Sequence, residues 1–267
     1  MEKFENLFVV YDPTGQEQPA LERAADLART MPVKIHVFTC IYSNTAKPAE
    51  VKSLIAEHQS ILEAVVAPLR EQGIAVSTEV EWDKNWCQAA VRASITNSSD
   101  LVLKPSYKHS SSKRFLNKTS DWTLIRECLC PVLLVKENSS RYNPRVLAAI
   151  DICAKNESYE RLNQNVINFG NQIIDNRGAE VYYINAFQDF KGVPDRQELI
   201  RNTGLASNKI HIKLGEPDKV IIEQAKKLDV SLVVVGNSAR SGLSAAFLGN
   251  TVEKVLDNVE CDVLSMR

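Results

Sequence analysis

The chain has 267 residues, 44% hydrophobic and 24% charged. That is enough for an ordinary core and, at ~150 residues per domain, room for two domains. Lysine and arginine number 32 against 33 aspartate and glutamate, and the formal net charge of -1 offers no global field for nucleic acid or an anionic membrane.

No apolar run approaches the ~20 residues of a membrane span. The opening MEKFENLFVVYD lacks the apolar core and cleavage site of a secretory signal. The six cysteines are scattered without a C-x-x-C pair, which fits a reducing compartment. The expectation is a cytoplasmic protein with no membrane and no nucleic-acid partner.

Leu7–Tyr11 is an apolar run stopped by Asp12-Pro13 and reads as a strand. Within Gln18–Arg29, Ala20, Leu21, Ala24, Ala25, Leu27 and Ala28 recur at helical spacing. Val33–Ile41 predicts a strand. Ala49–Gln72 predicts a long amphipathic helix ended by Gly73. Ile74–Val80 alternates as a strand, Trp86–Ile95 reads as a helix, and Leu101–Leu103 as a short buried strand. Lys104–Lys118 reads as a loop, before a helix near Ser120–Glu127 and a closing strand at Pro131–Val135.

Glu137–Asn143, ENSSRYN, is polar and aperiodic and reads as a linker. The pattern then restarts. Val146–Ile150 ends on Asp151 as Val9–Tyr11 ends on Asp12. Tyr159–Ile174 is helical, Glu180–Ala186 a strand, and a short helix near Arg196–Asn202 replaces the long one of the first half. Lys209–Ile212, Leu232–Val235 and Asp262–Leu264 read as strands, with a helix at Lys219–Leu228 and another at Val252–Asn258.

This is an internal repeat. Phe115-Leu116-Asn117-Lys118-Thr119 echoes Phe247-Leu248-Gly249-Asn250-Thr251, and Cys130-Pro131-Val132-Leu133 echoes Cys261-Asp262-Val263-Leu264. Strands alternating with helices in each half predict an α/β fold with two tandem doubly wound domains, near 1–138 and 144–267. Each would hold a five-stranded parallel sheet covered on both faces. Ligands in such sheets sit beyond the carboxyl ends of the strands, where Asp151 and Gly236 both fall.

The most informative stretch is Val233–Thr251, VVVGNSARSGLSAAFLGNT. A buried strand, a loop with glycines and a helix start can present backbone N–H groups to an anion. On this reading Gly249-Asn250-Thr251 open the helix and, with Gly236 and Asn237, cradle a phosphate. Arg240 can add charge to it. The same residues also suit a plain helix cap and loop turns.

These residues carry a resemblance. The chain is similar to tandem universal stress proteins, and most to the E-type two-domain members, over nearly its whole length. Val9-Val10-Tyr11-Asp12-Pro13, Asp121-Trp122 before Cys130-Pro131-Val132, and Gly242–Thr251 carry it. The resemblance implies the universal stress protein fold, which is adenine nucleotide alpha hydrolase-like, and a stress-response role. The family's ATP-binding members carry G-x2-G-x9-G-[S/T]. Here Gly236 and Gly249 match, Ala239 replaces the second glycine, and Asn250 stands where Ser or Thr is usual, with Thr251 one place late.

By the same resemblance Asp151 lies near the adenosine, and Asn185 and Ala186 line the adenine pocket. The ligand expected is a small molecule, ATP or another adenine nucleotide with Mg2+, in the second domain. The resemblance also implies an intrachain pseudo-dimer through Pro131–Val135 and Asp262–Leu264, which would cover two sheet edges. Whether the chain pairs again as a homo-dimer stays open.

The first half departs from the motif. Its counterpart from Lys104 onward has no glycine, and Pro105 lacks a donor. Lys104, Lys108, Lys113, Arg114 and Lys118 either attract an anion by their side chains or form a solvated basic loop. Cys128 and Cys130 with His109 fall short of zinc-ligand spacing, so no metal site is expected. No G-x-S-x-G elbow or G-x-x-x-x-G-K-[ST] is present. No catalytic residue is assigned, and an enzyme, at most a weak ATPase, is not favoured. The alternatives are an interaction scaffold without nucleotide and a binder of another metabolite.

Overall fold

The computed structural model describes residues 4–106, 114–137, 144–154, 156–237 and 245–267, and for 114–120, 176, 177, 191 and 245–250 the backbone alone. The chain divides into two compact units, Met1–Glu137 and Asn138–Arg267.

In the first unit the strands are β1 (Asn6–Val10), β2 (Lys34–Ile41), β3 (Val76–Trp82), β4 (Leu101–Ser106) and β5 (Val132–Lys136). Helices α1 (Pro19–Ala28), α2 (Pro48–Glu71), α3 (Trp86–Thr96) and α4 (Arg114–Glu127) alternate with them. Every pairing is parallel, in the order β3-β2-β1-β4-β5.

The second unit repeats this with β6 (Arg145–Ala149), α5 (Glu157–Arg177), β7 (Glu180–Phe187), α6 (Arg196–Thr203), β8 (Ile210–Leu214), α7 (Pro217–Leu228), β9 (Leu232–Gly236), α8 (Ala245–Asn258) and β10 (Asp262–Met266). Its order, β8-β7-β6-β9-β10, is again wholly parallel. In each unit the order reverses between the first and fourth strands. That opens the crevice at their carboxyl ends where such folds receive ligands.

The expected α/β fold and parallel sheets are thus present. The central strands are apolar because both faces are covered: Phe8, Val9, Val102 and Leu103 in the first unit and Leu147, Ala148, Val233 and Val234 in the second are fully buried. Local signals set the helix ends. Asn156 accepts from the Tyr159 N–H at 3.2 Å to start α5, and Asp195 accepts from Gln197 at 2.8 Å to start α6. Gly178 (φ 61°) and Gly204 (φ 70°) end these helices in the left-handed conformation that glycine adopts without strain.

Two expectations are corrected. Lys104–Lys118 is not one loop: β4 continues through Lys104, Pro105 and Ser106, and α4 begins at Arg114, while 107–113 lie outside the described residues. Pro105 is tolerated because pairing with β1 ends at Leu103, whereas pairing with β5 runs on to Ser106. In the second unit α8 begins at Ala245, ahead of the expected start at Gly249-Asn250-Thr251. The buried Val252, Val255, Leu256 and Val259 anchor this helix. A glycine inside it costs ~1 kcal/mol, which such packing offsets.

Candidate functional site

A cleft of about 140 Å³ opens at the carboxyl ends of β6, β7 and β9. Its walls are mostly apolar, with Ile184, Pro217, Ile221, Val235 and Val252 among them. Asp151, Tyr159, Asn163, Asn237 and Thr251 supply polar edges. The volume matters. Pockets for whole drug-sized ligands run ~300–1,000 Å³, while an apolar cavity of ~150 Å³ holds a single ring. The cleft therefore has room for a ring-sized moiety.

Hydrogen bonds fix the rim beside β6. The Asp151 N–H donates to Asn163 Oδ1 at 3.0 Å, and Asn163 Nδ2 donates back to the Asp151 carbonyl at 2.7 Å. Asp151 Oδ1 accepts from the Cys153 N–H at 3.0 Å, a local turn that holds the carboxylate at the cleft. The next amide, Ile152, donates to Asn185 Oδ1 at 3.0 Å, while Asn185 Nδ2 donates to the Ala186 carbonyl at 3.0 Å. Asn185 is 1% exposed. It props the rim from below, and its neighbour Ala186 lines the cleft.

The structure thus brings Asp151, Ala186, Gly236, Asn237 and Thr251 to one cleft. It gives several of them other duties than those expected. Gly236 is small because Leu162 lies on it: a Cβ there would meet Leu162 Cδ2 at 2.6 Å. The Asn237 N–H donates to the Met266 carbonyl at 2.7 Å, continuing the β9–β10 ladder. Gly249, Asn250 and Thr251 lie in the second turn of α8, where each N–H has a carbonyl four residues back as its acceptor. The donors without an intrahelical partner belong to the first turn. The loop between β9 and α8, residues 238–244, which the phosphate cradle read from the sequence also uses, lies outside the described residues. Arg240 and Ala239 lie outside the described residues.

The basic loop of the first half is also recast. Lys104 is a buried strand residue, with its ammonium 2.6 Å from Asp121 Oδ1. Arg114 and Lys118 belong to α4, and Lys108 and Lys113 lie outside the described residues. Among the described residues no three His, Cys, Asp or Glu side chains are grouped to hold a metal ion. No helix there is long and apolar enough to cross a membrane.

Sequence reasoning missed Tyr159, Leu162 and Asn163 on α5, and Pro217 and Val235, as cleft residues. Their apolar members sit at core spacing and carry no separate signal. Asn163 left a trace, a polar side chain on the inward helix face that repeats Leu162 and Val166.

Comparison with known proteins agrees with this architecture. The model of the Universal stress protein family matches residues 3–136 and 171–267. Universal stress protein E of Escherichia coli (strain K12) is 27% identical over 300 residues, covering 100% of this chain and 95% of that protein. A putative universal stress protein structure from Pseudomonas aeruginosa UCBPP-PA14 superposes with a TM-score of 0.80 at 26% identity, covering 99% of this chain and 94% of that one. One from Archaeoglobus fulgidus shares the fold, at a TM-score of 0.76 and 17% identity, covering 99% and 97%.

Proposed function

The chain belongs to the universal stress protein family, and from that premise we propose that its second unit binds an adenine nucleotide by the nucleoside end. The observation that carries this is the ring-sized apolar cleft at the strand ends, with the Asp151 carboxylate at its edge. A flat heterocycle gains from burial against Ile184, Pro217, Val235 and Val252. A carboxylate beside it can accept from ribose hydroxyls, as acidic residues do in other doubly wound folds. Thr251 and Asn163 add polar contacts at the rim. On this reading the phosphates, with any Mg2+, contribute less than the nucleoside, because the amides of Asn237 and Gly249–Thr251 have other partners.

Titration calorimetry with adenosine, AMP and ATP, with and without Mg2+, tests the proposal. The expected result is binding of all three with affinities within about tenfold of one another, lost in Val235→Trp. No heat from any of them at millimolar concentration would falsify it.

One observation favours a second reading, a scaffold that binds no nucleotide. The Asn237 N–H is taken up by the Met266 carbonyl, and Gly249, Asn250 and Thr251 lie inside α8. Under that reading none of the three ligands raises the melting temperature, as a ligand specific to the folded state must.

A further inference from the structure

The ladders allow the two units to be compared position by position. Val9 pairs with Leu103 in the first unit as Ala148 pairs with Val234 in the second. Lys104 therefore stands where Val235 stands, facing Leu134 as Val235 faces Ser265. Trp86 opens α3 as Pro217 opens α7, and Asp121 lies as far into α4 as Val252 lies into α8.

Pro217, Val235 and Val252 line the cleft of the second unit. Of their three counterparts in the first unit, Lys104 contacts both of the others. Lys104 Nζ lies 2.6 Å from Asp121 Oδ1, donates to the Pro105 carbonyl at 2.9 Å, and sits 5.7 Å from the centre of the Trp86 ring. Only 11% of the lysine side chain and 18% of the aspartate side chain are exposed. Both charges reach the first turn of α3. Burial pushes the Cys87 thiol up to about 12, with Lys104 pulling it down and Asp121 pushing it up.

We infer that Lys104, Asp121 and Trp86 decide which unit accepts a ligand: they occupy in the first unit the space that the second keeps for a ring-sized guest. The exclusion is energetic as well as steric. A guest entering between the two charged groups would part a buried ion pair and leave each charge without its partner, a penalty far larger than one ring recovers by burial. The ammonium also holds the Trp86 face by a cation–π contact, so the indole does not swing aside freely. The chain then takes one ligand, in its second unit.

The test transplants the second unit's residues into the first, as Trp86→Pro/Lys104→Val/Asp121→Val in the full chain. Proline suits the first position of a helix, so the backbone of α3 is kept. Crystals of wild type and variant are pressurised with xenon, which needs only a dry apolar cavity. The expected result is xenon beside residue 104 in the variant and none there in the wild type. Xenon at that place in the wild type, or its absence in the variant, overturns the inference. The wild-type crystal keeps the inference falsifiable even if the variant fails to fold.

A second readout rests on the adenosine reading of the second cleft. Calorimetric stoichiometry should rise from one adenosine per chain to two. One per chain in both proteins overturns the inference. The expected xenon pattern with no adenosine heat in either protein sinks the adenosine reading and leaves the inference standing.

Discussion

The two units share strand order and ladder register, yet they set different side chains at matching positions. The first sets paired polar groups at two such places. Lys104 meets Asp121, and His36 on β2 has Ser77 at 2.8 Å and Glu79 at 2.9 Å on β3. The second places apolar or aromatic groups at the matching positions. Val235 and Val252 replace the ion pair, and the Tyr182 and His211 rings lie tilted at 5.8 Å where His36 and Glu79 stand, with Lys209 over the Tyr182 ring and paired to Glu180. Their second helices differ too, 24 residues in α2 against 8 in α6. One scaffold supports either a closed strand end or an open one, and a handful of side chains at fixed register positions makes the choice.

The largest expected effect concerns the ion pair. Removing one partner strands a buried charge, so Asp121→Val should destabilise the protein by ~3–5 kcal/mol. Lys104→Val/Asp121→Val should recover most of that loss, because an apolar pair matches what the second unit already carries. Urea denaturation of the two single variants and the double variant measures it. Single variants that lose less than the double would break the comparison, since the charges would then not depend on each other.

Next comes a contact that the first unit lacks. In the second unit Tyr183 is fully buried and donates to the Ile167 carbonyl at 3.2 Å; the matching ladder position of the first unit holds Val37. Room for the hydroxyl comes from Gly170 on α5, where a Cβ would lie 2.2 Å from Tyr183 Oη. Gly170→Ala should cost ~2–3 kcal/mol by overpacking. Adding Tyr183→Phe should return about half of it, since the atom in conflict is gone. A Gly170→Ala variant as stable as the parent would show that α5 shifts at no cost.

Much of this architecture was legible in the sequence, and the reasons are local. The repeat was visible because strand ends such as Val9–Asp12 and Val146–Asp151 share both apolar pattern and terminator. Gly236 was legible as a required glycine, though its reason, Leu162 lying on it, depends on a helix distant in sequence. The start of α8 was misplaced because Gly-Asn-Thr is a good helix opening. The apolar residues that continue the helix back to Ala245 carry no cap signal. The Lys104–Asp121 pair was hidden for a similar reason. A lysine beside proline reads as solvated until the β5 pairing shows that β4 runs through it.

A smaller effect is expected at Gly236, which faces Pro105 across the comparison. In Gly236→Ala the new methyl would lie 2.6 Å from Leu162 Cδ2 and 2.7 Å from Cγ. Leu162 is itself a wall of the cleft, so it must yield into that space. Stability should fall by ~1 kcal/mol. Adenosine affinity should fall roughly tenfold, equivalent to ~1.4 kcal/mol. Calorimetry on the variant checks both the direction and the order, because a larger loss of stability than of binding would place Leu162 in the core rather than at the site.

The smallest effect is a pH dependence carried by His211. His211 is held below its ordinary value of 6.5 by burial first, then by Lys213, Arg196 and Lys227, and its Nε2 has no hydrogen-bond partner among the described residues. Its folded form binds a proton less readily than the unfolded chain does. Stability linked to this group is therefore present above pH 6.5 and lost as pH falls below it. His211→Gln should flatten the fall in melting temperature between pH 7.5 and about 5.5. The reverse sign, a parent that gains stability on acidification through this window and loses the gain in His211→Gln, would mean that the ring is charged in the fold. The surrounding cations could not then be as close as Lys213, Arg196 and Lys227 are.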